Sequence, residues 1–153
     1  MPKANEIVKK VNDSLPELEK LAYDAELLAA QKANELLFAR TFASNDGVHD
    51  SKNAKLKGYS KAYAKKRENA GRQTKNKDLQ FTGALFESVQ VGIESNKPAL
   101  GFLTQRSAEI AGFQEEQNNT KIFVLNQNEI DEVKKDVVEF TMKRLSEIVK
   151  SWY

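Results

Sequence analysis

Apolar residues recur at three- and four-residue intervals across 4–43, at Val8, Val11, Leu15, Leu18, Ala22, Ala25, Ala29 and Leu36, with Leu21 and Leu28 beside them. That spacing puts them on one stripe of a helix. Pro16 interrupts the stripe, and Ser14 with Glu17 three residues on has the form of a capping box. The pattern therefore predicts either a break near Asp13 or a helix that begins there. The alanines from Ala22 to Ala33 allow close packing, which favours a core helix over a coiled coil. A second helical face, Ile130, Val133, Val137, Phe140, Met142, Leu145, Ile148 and Trp152, ends the chain. Asn126 with Glu129 marks its start as another capping box.

Between these stripes the period changes to two. Val89, Val91 and Ile93 alternate with polar residues, as in a half-buried strand. Asn96, Lys97 and Pro98 predict a turn, and 99–104 (ALGFLT) the returning strand. Ala108, Ile110 and Gly112 predict a third strand, followed by a polar loop at 114–120. Residues 121–126 (KIFVLN) form a short apolar approach to the last helix. The predicted fold is α+β, a single domain over 1–153. In it a long N-terminal helix and a C-terminal helix pack on a small antiparallel sheet, with a basic extended arm.

That arm, at about 52–78, holds most of the charge asymmetry. The chain has a net charge of +2, yet ten bases and one acid, Glu68, fall between Lys52 and Lys77. This surplus of +9 leaves −7 on the remainder. Ser60 predicts the cap of a short helix near 60–69, and Gly71 its end. Residues 72–77 contain no apolar side chain, which predicts mobility. Removing Lys55–Lys77 is then expected to leave the rest folded. Three uses of the arm are open: solvation, contact with phosphates and bases through its cations and Tyr59 and Tyr63, or ordering against an acidic neighbour.

Candidate chemistry is sparse. The single histidine, His49, lies beside Asp46 and Asp50 in a predicted loop and reads as solvated. Glu115 and Glu116 read as solvated loop carboxylates. No phosphate-binding Gly-x-x-x-x-Gly-Lys pattern and no Ser–His–Asp or Cys–His set is present. There are no cysteines, so disulfides and thiolate metal sites are excluded. The expectation is a protein without catalytic residues, metal or cofactor. No apolar run approaches the roughly 20 residues of a membrane helix, and the opening MPKANEIVKK does not read as a secretory signal. Leu79, Phe81, Leu85, Phe86 and Phe123 read as core or interface anchors, with Thr82 as a cap and Gly83 as a site of close packing or unusual backbone angle. Trp152 and Tyr153 are expected to dock on the chain's own core or to be buried in a neighbouring subunit, with the first favoured.

Four segments in order, YSKAYAKKRENAGRQ, DLQFTGALFESVQV, AEIAGFQEEQ and KIFVLNQNEIDEV, cover about residues 55–140. They resemble the tail-completion or virion-morphogenesis proteins of tailed bacteriophages, which join head to tail at the neck. The resemblance runs through Tyr59, Ser60 and Tyr63 with Lys65, Lys66, Arg67 and Gly71. It continues through Leu79, Thr82, Gly83, Leu85 and Ser88, and then Lys121, Phe123, Val124 and Leu125. Lys121 stands where the family has arginine, and Asn126 where it has glycine.

The resemblance implies a structural virion protein of the neck: a tail-completion, tail-terminator or head–tail connector subunit without catalytic residues. It implies a homo-oligomeric ring, often of six, around the DNA channel, between a portal-side adaptor and the tail tube, assembled in the host bacterial cytoplasm. A ring needs two unlike surfaces on each subunit, and a basic arm on an acidic body supplies them. The arm residues for assembly or channel contact are Lys55, Lys57, Tyr59, Lys61, Tyr63, Lys65, Lys66, Arg67, Arg72, Lys75 and Lys77. Any contact with genomic DNA would be to phosphate only. The alternative is a non-sequence-specific nucleic-acid-binding module that uses the same arm.

Overall fold

The computed structural model describes residues 3–80 and 83–153. Phe81 and Thr82, an anchor and a cap in the sequence reading, lie outside the described residues. The helical stripe of 4–43 divides at Ser14 into α1 (Ala4–Asp13) and α2 (Leu15–Thr41), with Pro16 in the first turn of α2. The expected Ser14–Glu17 box is absent. The Ser14 hydroxyl makes no cap bond and instead accepts a hydrogen bond from Trp152 Nε1 at 3.0 Å. The C-terminal turn thus docks on the α1–α2 corner, where Lys10 also donates to the Trp152 carbonyl and lies 5.0 Å from the Tyr153 ring centroid.

After α2 the chain forms a loop and α3 (Lys61–Asn69), then α4 (Ala84–Ser88), β1 (Val89–Glu94), β2 (Lys97–Phe102), α5 (Gln105–Asn118) and α6 (Gln127–Lys150). β1 and β2 form an antiparallel hairpin in which Val89 faces Phe102 and Glu94 faces Lys97. Ser95 and Asn96 take positive φ at the turn, as a two-residue hairpin loop requires. The fold is α+β. Helix α2 packs on both strands and along α6. Lys32 of α2 fixes that helix pair, with Nζ 3.0 Å from Glu132 and 3.6 Å from Asp136.

The expected third strand is a helix. Among the described residues the sheet has two strands, and Ala108, Ile110 and Gly112 lie within α5. Their alternation is misleading, because Ser107 and Ala111, one helical turn apart, are the buried pair, whereas Ala108 and Gly112 are exposed. Thr104 caps the helix by accepting from Ser107 N–H, and Asn119 ends it in the left-handed region. Most of the expected 114–120 loop is therefore helical. Glu115 is not a solvated loop carboxylate. Its Oε1 accepts from the Ile122 and Phe123 amides at 2.8 and 3.0 Å, and its Oε2 from Lys121. Burial opposes its charge, but these bonds outweigh it and hold the carboxyl below its ordinary range.

Two apolar clusters form the core. One joins Leu37, Phe42, Leu85, Val89 and Ala111, with Phe38, Phe86, Phe102 and Phe123 packed around it. Phe42 and Phe86 meet edge to face at 5.4 Å. The smaller cluster joins Val48, Leu56 and Ile122. Leu79 and Phe123 touch both, and Leu79 does so at φ +54°. Branched side chains rarely adopt that backbone.

Arg40, at the C-terminal end of α2, binds the segments together. Its Nε donates to Glu129 Oε1 at 2.7 Å, its Nη1 to the carbonyls of His49 and Ile122, and its Nη2 to that of Val124. Glu129 also completes the expected capping box of α6 with Asn126. Both ionic side chains are nearly excluded from solvent, at 6% and 11% exposure. Removing Arg40 strands the Glu129 charge and three carbonyls. Arg40→Met is expected to cost about 3–5 kcal/mol, read from urea unfolding. Loss of less than about 1 kcal/mol would show that water substitutes for the guanidinium.

Candidate functional site

The basic segment begins inside the fold. Asp50 accepts from the Lys52 and Ala54 amides at 2.9 Å and from the Thr120 hydroxyl at 2.7 Å, which shapes the turn before Lys55. His49 pairs with Lys55 in an isolated bridge, and Leu56 enters the smaller core cluster. Ser60 then caps α3 as expected, accepting from Tyr63 N–H at 3.3 Å. The helix stops before Gly71, whose φ is +67°.

Arg67 turns from α3 into the protein and, among the described residues, is the largest of the fully buried side chains, at 1% exposure. Its Nη2 meets both oxygens of Asp78 at 3.0 Å, its Nε donates to the Gln73 carbonyl, and its guanidinium lies 4.5 Å from the Tyr59 ring centroid. Tyr59 donates to Asp78 Oδ1 at 2.8 Å and accepts from the Asp78 amide. Gln73 Nε2 donates to Asp78 Oδ2, and the Gln80 amide to Oδ1. Asp78 is thus the hub of the segment. Burial opposes its charge, but the bonds from Gln73, Gln80 and Tyr59 and the charge of Arg67 outweigh it, so its carboxyl sits below the ordinary range. Burial is the main reason the Tyr59 hydroxyl is pushed up to about 12.

These contacts correct the expectation of a mobile arm. Residues 72–77 are irregular but anchored: Gln73 and Asn76 bond each other, Lys55 Nζ reaches Asn76, and the Lys77 carbonyl accepts from Val48 N–H at 2.8 Å. Gly47 lets this strand approach, since a Cβ there would sit 3.0 Å from the Lys77 carbonyl at an unfavourable φ of +103°. The premise of the deletion expectation is corrected for the same reason, because Lys55–Lys77 contains Leu56, Arg67 and Lys77, all buried.

The predicted arm residues therefore separate into two groups. Arg67 and Lys77 are internal and Tyr59 is half-buried, so none of the three is a surface contact. Lys55, Lys57, Lys61, Lys65, Lys66, Arg72 and Lys75, with Lys52, remain exposed. Tyr63 is 38% exposed, with its ring 5.4 Å from that of Tyr59. Among the anchors, Leu85 is buried and Leu79, Phe86 and Phe123 pack on the core. Gly83 takes φ +82° at the cap position of α4.

His49 is only 19% exposed at its side chain, less solvated than expected, with Nε2 3.5 Å from Asp46. The neighbouring Asp50 carboxylate is directed to Thr120 instead. Among the described residues no group of three His, Cys, Asp or Glu side chains is placed to hold a metal ion, and no helix is long and apolar enough to cross a membrane. Asp78, Gln73 and Arg40 escaped the sequence reading, and Glu115 entered it only as a solvated carboxylate. The one visible signal was that Asp78 follows immediately after the run of bases.

Comparisons with family models, with curated proteins and with solved structures return no match.

Asp78 binds fewer protons folded than unfolded as pH falls past its ordinary value. Its contribution is thus complete above that value and is lost as pH drops through the lower folded pKa. The stability gap between wild type and Asp78→Asn is expected to be widest near neutral pH and to close below about pH 4. A gap that stays constant from pH 7 to 3, measured by urea unfolding, would mean that the carboxylate charge is not what holds the segment. Deleting Lys55–Lys77 is expected to abolish cooperative thermal unfolding. A sharp transition at the wild-type midpoint would show the segment to be dispensable.

Proposed function

We propose that this chain is a structural subunit of the neck of a tailed bacteriophage, assembling into a homo-oligomeric ring at the head–tail junction. The observation that carries the reading is a basic surface held in fixed geometry on an otherwise acidic chain. Eight bases between Lys52 and Lys75 are exposed, while the pair of buried Arg67 with partly exposed Asp78 fixes the backbone that presents them. A preformed patch meets an acidic neighbour without the ordering cost of a disordered arm. Head-to-tail contact between unlike surfaces closes a ring. The resemblance of its segment order to that of neck proteins supports the same reading. So does an exposed stripe on α6, where Val138, Met142 and Leu145 recur at helical spacing. In such a ring the partners are sister subunits, a portal-side adaptor and the tail tube, and genomic DNA meets only phosphate-directed charges.

The eight exposed bases also favour a second reading, a sequence-blind nucleic-acid-binding module. Native mass separates the two. Mass photometry at low and high salt is expected to find a closed ring, for example about 104 kDa for six 17.3 kDa subunits. A monomer at every salt concentration that binds duplex DNA, with affinity falling steeply as salt rises, would replace the neck reading with the second one.

A further inference from the structure

Among the described residues three basic side chains are withdrawn from water. Arg40 faces Glu129 and Arg67 faces Asp78. The third, Lys77, is 9% exposed and has no carboxylate among the described residues within 4.0 Å. Its ammonium donates to the neutral Asn118 Oδ1 at 2.9 Å and lies 5.9 Å from the Tyr59 ring centroid. Burial, uncompensated by any anion, pushes that ammonium down from its ordinary lysine value. A cation in this position lacks the partner that the other two possess, and it has N–H donors to spare.

Lys77 lines a cavity of about 310 Å³ between α3, α4 and α5. Leu79, Leu85 and Ile110 give it apolar walls, and Tyr59 and Tyr63 stand at its α3 side. Arg67 also borders it, but its guanidinium is engaged by Asp78. Apolar walls with one uncompensated positive charge suit a singly charged ligand with a hydrocarbon body. Ser60, Gln114 and Gln117 also border the cavity but are neutral, so a phosphate would meet one available cation where it needs several charge-assisted donors, and the size matches the lower end of the range for small-molecule sites.

We propose that this cavity binds a small apolar monocarboxylate, its hydrocarbon part against Leu79, Leu85 and Ile110 and its carboxylate on Lys77 Nζ. The site lies within one subunit and does not depend on the assembly reading. It supplies the counter-charge that the fold leaves out.

Octanoate, octan-1-ol and inorganic phosphate, titrated calorimetrically into the full chain, test the proposal. Octanoate is expected to bind saturably, octanol at least tenfold more weakly, and phosphate not at all. Lys77→Met is expected to weaken octanoate binding at least tenfold while leaving octanol unchanged. Without ligand its thermal midpoint should equal or exceed that of wild type, because an uncompensated charge has been removed. Octanoate should raise the midpoint of wild type and not that of the variant. Absence of saturable octanoate binding, equal binding of octanol, or equal binding by wild type and Lys77→Met would each overturn the proposal. The octanoate–octanol comparison on wild type needs no variant, so a poorly folding Lys77→Met leaves the proposal open to refutation.

Discussion

The guanidinium of Arg40 is the constraint on which the rest of this structure depends. It sits where α2 ends and gathers a carboxylate from α6, a carbonyl from the loop after α2, and two carbonyls from the segment before α6. Each of those carbonyls belongs to irregular backbone, and that of Ile122 would otherwise be buried without a donor. A lysine in this position would bring one charge but not the planar fork that reaches four acceptors. Glu129 has two tasks, as counter-ion to Arg40 and as cap of the helix it begins. The end of one long helix and the start of the other are therefore specified by a single ion pair.

A second ion pair repeats this logic at the basic segment. Arg67 and Asp78 enclose the ends of α3 and the irregular strand after it, with Tyr59 stacked on one side. Positive charge along this stretch thus serves two purposes. Part of it is internal and organises the backbone, while the rest is displayed by the backbone so organised. The internal part explains why so polar a segment does not need an apolar run of its own to stay on the body.

Periodicity made the long elements legible. The helices α2 and α6, the strand β1 and the Asn126–Glu129 cap all form, but the buried faces are shifted: α2 buries Leu21, Ala30 and Leu37, while Ile93 of β1 and Met142 and Leu145 of α6 are exposed. The same local method misread 105–118, because alanine and glycine at 108 and 112 satisfy a two-residue period without having to be buried. It also misread Ser14, whose hydroxyl is engaged by Trp152, 138 residues away. The basic segment failed for a related reason. Composition alone counts charges and cannot tell which one is turned inward. The inward turn of Arg67 is decided by Asp78, Gln73 and Tyr59, which no spacing rule connects. Glu115 belongs with these, since its two backbone partners lie past the end of its own helix.

Arg40 and Glu129 are 89 residues apart in sequence. Synthesis at about 5–20 residues per second therefore separates them by roughly 4–18 s on the ribosome. Through that interval α2 can form, but its last turn has neither its counter-ion nor the Ile122 and Val124 carbonyls. The basic segment is likewise complete by Asp78, yet Ile122, the centre of the smaller core cluster, is still missing. The nascent chain is thus a helix and a charged segment awaiting their common anchor. The closing event of folding comes with the last third of the chain, when one carboxylate arrives and fixes the ends of both long helices at once.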